Sequence, residues 1–305
     1  MNELLKFLFA PGFFQNLQVR DALLIGTLIA ATSGLIGVFV IIRRQSFAGH
    51  AISDFGGAGA AVAFLLGLKT VWGFLGFGLL SALGIELLGK REGERDLATG
   101  IVLSIALGCE SLFLFLGTHY TGQGGAPMMV LFGSIFMMSH STLPIVLVLA
   151  PITVILLILI FKPLLLSSIN AELAQTRGIP VRLINYIFII LLALVVNQNS
   201  MIIGSLLSTA LLIGPAAIAM RLTHRIGKAM ILSAFIGLVS IWIGIVLAYD
   251  SYQWLPSHKS WPVSFFVCAQ ILLSYFISGF IQNQKLKRNE KKAGAVKLIK
   301  EASIV

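Results

Sequence analysis

Charge is what this sequence has least of. Asp, Glu, Lys and Arg together make up 11% of its 305 residues, less than half the roughly 25% of an average soluble domain. With 57% hydrophobic residues and a mean hydropathy of +0.96, that excludes a disordered chain and an ordinary cytosolic enzyme. Cysteine is nearly absent. Cys109 and Cys268 both fall inside apolar runs, and no CxxC pair exists, which argues against a disulfide framework or a thiolate metal cluster. Catalytic signatures are missing too: there is no HExxH and no GxSxG, so a protease or esterase role has no support. The stretch from Gly84 through Gly89 and Lys90 follows a phosphate-binding loop until Arg91, where Ser or Thr should bind magnesium. It also ends an apolar run, so we read it as chance and expect no ATPase motif in this chain.

What is present points to a membrane. A hydrocarbon core about 30 Å thick takes roughly 20 apolar helical residues. Nine stretches qualify: 21–42, 50–68, 70–89, 97–117, 142–162, 181–198, 201–220, 227–249 and 262–282. Eight remain if 50–89 is partly re-entrant. The run Met128–Met138 is too short to cross and reads as re-entrant or interfacial. The net charge of +10 would suggest a polyanion in a soluble protein; here it sets orientation, and no nucleic-acid partner is expected. With an outer N-terminus, 18 of the 22 basic residues fall on one side, and only Lys6, Arg20, Lys69 and Lys259 on the other. Such asymmetry marks the cytoplasmic side. The expected fold is therefore an all-α polytopic membrane protein of about nine crossings, N-terminus outside and C-terminus cytoplasmic. Residues 1–20 read as an outer-surface amphipathic segment, 21–282 as one transmembrane domain, and 283–305 as a basic cytoplasmic tail, where contact with membrane lipid is the alternative to plain solvation.

Ionisable residues within apolar segments are costly and by default mark a pathway or site. His50 and Asp54 are four residues apart and so share a helix face. Imidazole nitrogen beside carboxylate oxygen suits zinc, manganese or ferrous iron; a self-satisfied hydrogen-bonded pair is the other reading. Glu110 is a further mid-span acid, either extending an ion route or protonated and hydrogen-bonded. Glu86 reads as a packing acid. His119, His140, Asp250 and His258 fall in outer loops, where they either guide a metal inward or are ordinary loop residues. On the cytoplasmic side, 170–180 is short and polar. Ala171 to Thr176 fits a helix, Gly178 its end and Pro180 the restart, which makes either a lever for a soluble partner or an ordinary loop.

This stretch, followed by Gly204-Ser-Leu-Leu-Ser-Thr-Ala-Leu-Leu-Ile-Gly-Pro215-Ala-Ala-Ile-Ala, resembles the permeases of the manganese/zinc/iron class of ABC importers. Those show an acidic-Ala-x-x-x-Gly loop and then a span reading GxLLxxALLxxPAAxA. The region from Arg43-Arg44 to Gly67 is similar to their Arg-Arg pair, GDALSHA segment and Gly/Ala-rich span. The resemblance covers roughly 20–280. One departure stands out: the family places Asp first and His four later, whereas here Gly49-His50-Ala-Ile-Ser53-Asp54 exchanges them. The resemblance implies a bacterial inner-membrane permease without its own ATPase motif or bound cofactor. It implies a transported divalent metal, cytoplasmic ATP-binding subunits that bind the ATP, a second permease copy or paralogue, and an external or periplasmic metal-binding protein. It assigns His50, Asp54 and, more weakly, Glu110 to the metal passage. Ala171, Glu172 and Gly178 go to ATPase coupling. Gly214-Pro215 reads as an interruption of its span that frees backbone groups at a hinge or cavity wall, with packing alone the other account. A secondary carrier driven by protonation of His50, Asp54 and Glu110 is the alternative.

Overall fold

The computed structural model describes residues 13, 15–89, 92–121, 130–133, 135–137, 143–252, 254 and 260–302. Among these, regular structure is entirely helical. The helices are α1 (Leu17–Ile42), α2 (Ser46–Leu65), α3 (Thr70–Leu88), α4 (Glu92–Thr121), α5 (Leu143–Ile169), α6 (Ala171–Thr176), α7 (Val181–Ile203), α8 (Ser205–Leu222), α9 (Ile226–Ser251) and α10 (Val263–Ala302). Each expected span coincides with one of them. Seven are long and apolar enough to cross a membrane: α1, α3, α5, α7 and α9, with Asp96–Tyr120 of α4 and Val263–Gln284 of α10. α2 and α8 are not, because serine, glycine, His50 and Asp54 dilute the first and the second is short.

Helix ends follow local chemistry. α1 starts at Leu17 rather than 21 because the Asn16 side chain accepts the Gln18 N–H at 2.9 Å, a helix cap. Before it, Phe13 is buried edge-on against Tyr249, with ring centroids 5.2 Å apart. At the far end the Gln45 N–H returns to the Val40 carbonyl at 2.9 Å, turning the chain into α2. Arg43 donates to Ser168 Oγ at 3.3 Å and to Asn185 Oδ1, and its guanidinium lies 5.0 Å from the centre of the Phe188 ring. The basic turn thereby ties α1 to the end of α5 and the start of α7. At the other terminus, α10 continues through the basic tail to Ala302.

α2 packs chiefly on α3 and α4, while α1 packs on α9 and α8 and α7 reaches α3, α5, α8 and α2. Small residues permit this closeness. Gly59 and Gly73 meet backbone to backbone, so that a Cβ on either would strike the other's carbonyl. Among the described residues, two large apolar clusters lie around Phe39, Phe188 and Leu192 and around Ile25, Leu211 and Ile241, and a smaller third joins Phe74, Leu114 and Val130.

Gly204, at φ 86°, breaks α7 from α8. Segment 131–133 lies against this break. Gly133, at φ 70°, occupies space beside Ile203 and Gly204 that no side chain could share, and Gly204 faces the main chain of Leu131 to Gly133 in the same way. The described part of the expected re-entrant run therefore packs onto the bundle, with Val130 and Ile135 buried. Met128 and Met138 lie outside the described residues.

Candidate functional site

The apolar run that surrounds α2 is interrupted on one face by polar side chains. Asp54 is 2% exposed, and its Oδ2 lies 3.5 Å from His50 Nε2, as the four-residue spacing requires. The other ring nitrogen, Nδ1, is 3.2 Å from Thr209 Oγ1 of α8. When Nδ1–H donates to Thr209, Nε2 turns its lone pair toward Asp54, the tautomer a metal ligand needs. Ser53 continues the seam. Its Oγ is 2.7 Å from Ser200 Oγ and donates to the Ser205 carbonyl at 3.0 Å. α2, α7 and α8 are thus joined by hydroxyls beside the His–Asp pair.

Glu110 approaches from α4. It is 4% exposed, and its Oε1 fills the space that a Cβ at Gly57 would take. Neither Asp54 Oδ2 nor Glu110 Oε1 has a hydrogen-bond donor among the described residues. Buried carboxylate oxygens left without donors are expensive. The described residues contain no group of three or more His, Cys, Asp or Glu placed to hold a metal together. His50 and Asp54 thus set one imidazole nitrogen and one carboxylate side by side, with the hydroxyls of Thr209, Ser53 and Ser200 alongside.

The other expected residues lie elsewhere. Glu86 is buried on α3, making its own contacts. His119 is stacked on Phe115 at 5.8 Å near the end of α4, and Asp250 is near the end of α9. His140 and His258 lie outside the described residues. Gly214 and Pro215 do not interrupt a helix: α8 runs through both, and Gly214 instead admits Ile271 of α10 into contact. The interruption is Gly204, ten positions earlier.

α6 forms at the end of the bundle away from these carboxylates. Asn170 caps it, accepting the Leu173 N–H at 2.9 Å. Gly178, at φ 74°, closes it, with the Ile179 N–H returning to the Ala174 carbonyl at 3.0 Å. Ala174 is fully buried, whereas Ala171, Glu172 and Leu173 are exposed.

Four polar residues of α7 escaped the sequence reading although they stand together in an apolar run. Asn197, Gln198, Asn199 and Ser200 are all buried. Asn199 and Ser33 exchange hydrogen bonds at 2.8 and 3.1 Å, holding α7 to α1. Asn197 is wedged between Gly56 and Gly78. The cue was the hydrophilic run itself.

A family model described as the ABC 3 transport family matches residues 15–276. The chain is 30% identical over 243 residues to the manganese transport system membrane protein MntC of Listeria monocytogenes, covering 79% of this chain and 85% of that one. It is 32% identical over 245 residues to MntC of Halalkalibacterium halodurans, covering 78% and 83%. Among solved structures, PsaBC from Streptococcus pneumoniae in complex with Fab superposes with a TM-score of 0.77 at 27% identity, covering 91% of this chain and 97% of that chain.

Proposed function

We propose that this chain, which belongs to the ABC 3 transport family, is the permease subunit of an ATP-driven importer for divalent transition-metal ions, manganese first among them. It is a multi-pass protein of the bacterial membrane and not itself the ATPase. Its family sets aside a carrier that works without one. The observation that carries the reading is the His50–Asp54 pair, 3.5 Å apart on a helix buried among apolar ones. One nitrogen, carboxylate oxygens and flanking hydroxyls match a divalent ion such as manganese, which favours oxygen donors; zinc and iron also accept this set. Two relatives are named for manganese transport. The exchanged order of His and Asp leaves the same atoms on one face of α2.

His50 and Asp54 coordinate the ion in transit, and Glu110 lends charge from α4. Coordination stays incomplete so that the ion can leave. All nine helices longer than α6 traverse or enter the membrane, with the basic turns toward the cytoplasm. There α6 serves as the coupling helix. Ala171 and Glu172 dock on an ATP-binding subunit, Gly178 fixes the exit of the chain, and buried Ala174 transmits the push to α5 and α7. A second permease copy or paralogue and an external metal-binding protein complete the assembly, and ATP binds to the partner subunit.

The test is uptake of manganese, zinc and iron by liposomes holding the assembled transporter. ATP-dependent manganese uptake is expected, and it is expected to disappear in His50→Ala and Asp54→Ala while the complex still copurifies. Undiminished uptake in both variants, or uptake by the isolated chain on an ion gradient, overturns the assignment.

A further inference from the structure

α8, α9 and α10 border a groove of about 450 Å³ on the outside of the bundle. Its rim suits contact with lipid: Phe235, Leu273 and Ile277 are large, apolar and exposed. Its wall does not. Ser240, Gln270 and Ser274 line it, and none of their side chains makes a hydrogen bond among the described residues. Other buried helical serines, such as Ser33, Ser167, Ser251 and Ser278, donate their hydroxyls to a carbonyl one turn back. Ser240 is 4% exposed, yet its Oγ is not enclosed and meets the groove. Gln270 turns Nε2 inward, where it is enclosed, and leaves Oε1 toward the same space.

Depth decides what can fill it. Ser240 stands at the middle of α9, and Ser274 at the middle of the crossing segment Val263–Gln284. There, farthest from head groups and water, a polar group finds partners only in protein. An acyl chain would leave all three residues unpaired, at the cost of burying a polar group without a bond. A neighbouring helix that carries hydrogen-bonding groups at the same depth removes that cost. Serine hydroxyls donate and accept, and the Gln270 oxygen accepts, so this face is complementary to itself, as a two-fold contact requires. Serine is also among the small residues that let membrane helices approach closely. We propose that the groove is where a second copy of this chain packs, α9 and α10 of one copy against α9 and α10 of the other. Ser240, Gln270 and Ser274 are hydrogen-bonded across the contact. The proposal rests on the permease reading above and makes the second permease of the assembly an identical copy.

The test uses the full-length chain in liposomes, in a Cys109→Ala, Cys268→Ala background. Ser274→Cys, Ile277→Cys and, on the far helix α5, Leu159→Cys are introduced singly and oxidised with copper phenanthroline. Disulfide-linked dimers are expected at 274 and 277 and not at 159. Self-association on dilution into lipid gives a second readout. Gln270→Leu is expected to weaken it about 3- to 15-fold, the worth of one hydrogen bond between membrane helices. The thermal midpoint of the diluted monomer should not fall, because Gln270 bonds nothing there. Gln270→Asn should retain part of the association, and Ser240→Leu, which fills the groove, should lose it. Equal cross-linking at 274 and 159 overturns the proposal, as does association undiminished in both leucine variants. A phospholipid retained by the monomer and lost in Ser240→Leu, with no dimer formed, overturns it in favour of a lipid groove. A dimer linked only through another face also overturns it, while manganese uptake by the assembled transporter leaves the permease reading standing.

Discussion

α5 and α7 both have the length and apolarity of membrane helices, yet the less hydrophobic is the more deeply buried. The crossing segment of α5 has a mean hydropathy of 3.1 and is 22% buried; that of α7 has 2.0 and is 72% buried. In water the order would be reversed. In lipid, apolar side chains gain nothing by leaving the acyl chains, so the interior goes to helices with small residues for close approach and polar groups that need partners. α2 is the extreme case: it is too polar to qualify as a crossing by composition, yet it carries the residues proposed for transport.

The largest expected effect separates function from stability on α2. Asp54→Leu is expected to reduce manganese uptake by more than about tenfold, as loss of a metal-site partner does. Its thermal midpoint should stay level or rise, because an apolar side chain replaces a buried carboxylate without a donor. A fall in both would mean that Asp54 is architectural. Next, Gly73→Ala forces a methyl into the Gly59 backbone and is expected to cost about 1–3 kcal/mol. Gly84→Ala, on the same helix with nothing near the added carbon, should leave unfolding unchanged within about 0.5 kcal/mol. Equal costs would remove the claimed α2–α3 contact. A double-mutant cycle of Ser33→Ala and Asn199→Ala should give a coupling of roughly 0.6–1.7 kcal/mol, the range for hydrogen bonds between membrane helices. The smallest change is expected outside: Leu159→Val on α5, at a position 71% exposed, should shift stability by less than about 0.5 kcal/mol. A cost above 1 kcal/mol would show that this face is covered by protein.

Apolar length alone located every long helix, because nothing else satisfies the backbone in lipid. Helix starts were less legible: the first span was expected from 21, whereas Asn16 caps the helix at Leu17. The four-residue spacing of His50 and Asp54 revealed half of the site. Glu110 was legible as a mid-span acid but not its place over Gly57; Thr209 and Ser200 come from distant helices, and a helix apolar on nearly all sides gives no cue to which face turns inward. Pro215 suggests a break that the helix does not make. A proline can sit within a membrane helix when neighbours pack around it, whereas Gly204 adopts a backbone angle that other residues resist.

The meeting of Gly133 with Gly204 has a mechanical corollary. Where main chain rests on main chain, there is no rotamer to swing aside and absorb a displacement. Any shift of segment 131–133 is passed undamped to the elbow between α7 and α8, and along α8 to Thr209 and the imidazole it steadies. Segment 131–133 and the imidazole of His50 are thereby geared to each other through two residues that have no side chains at all.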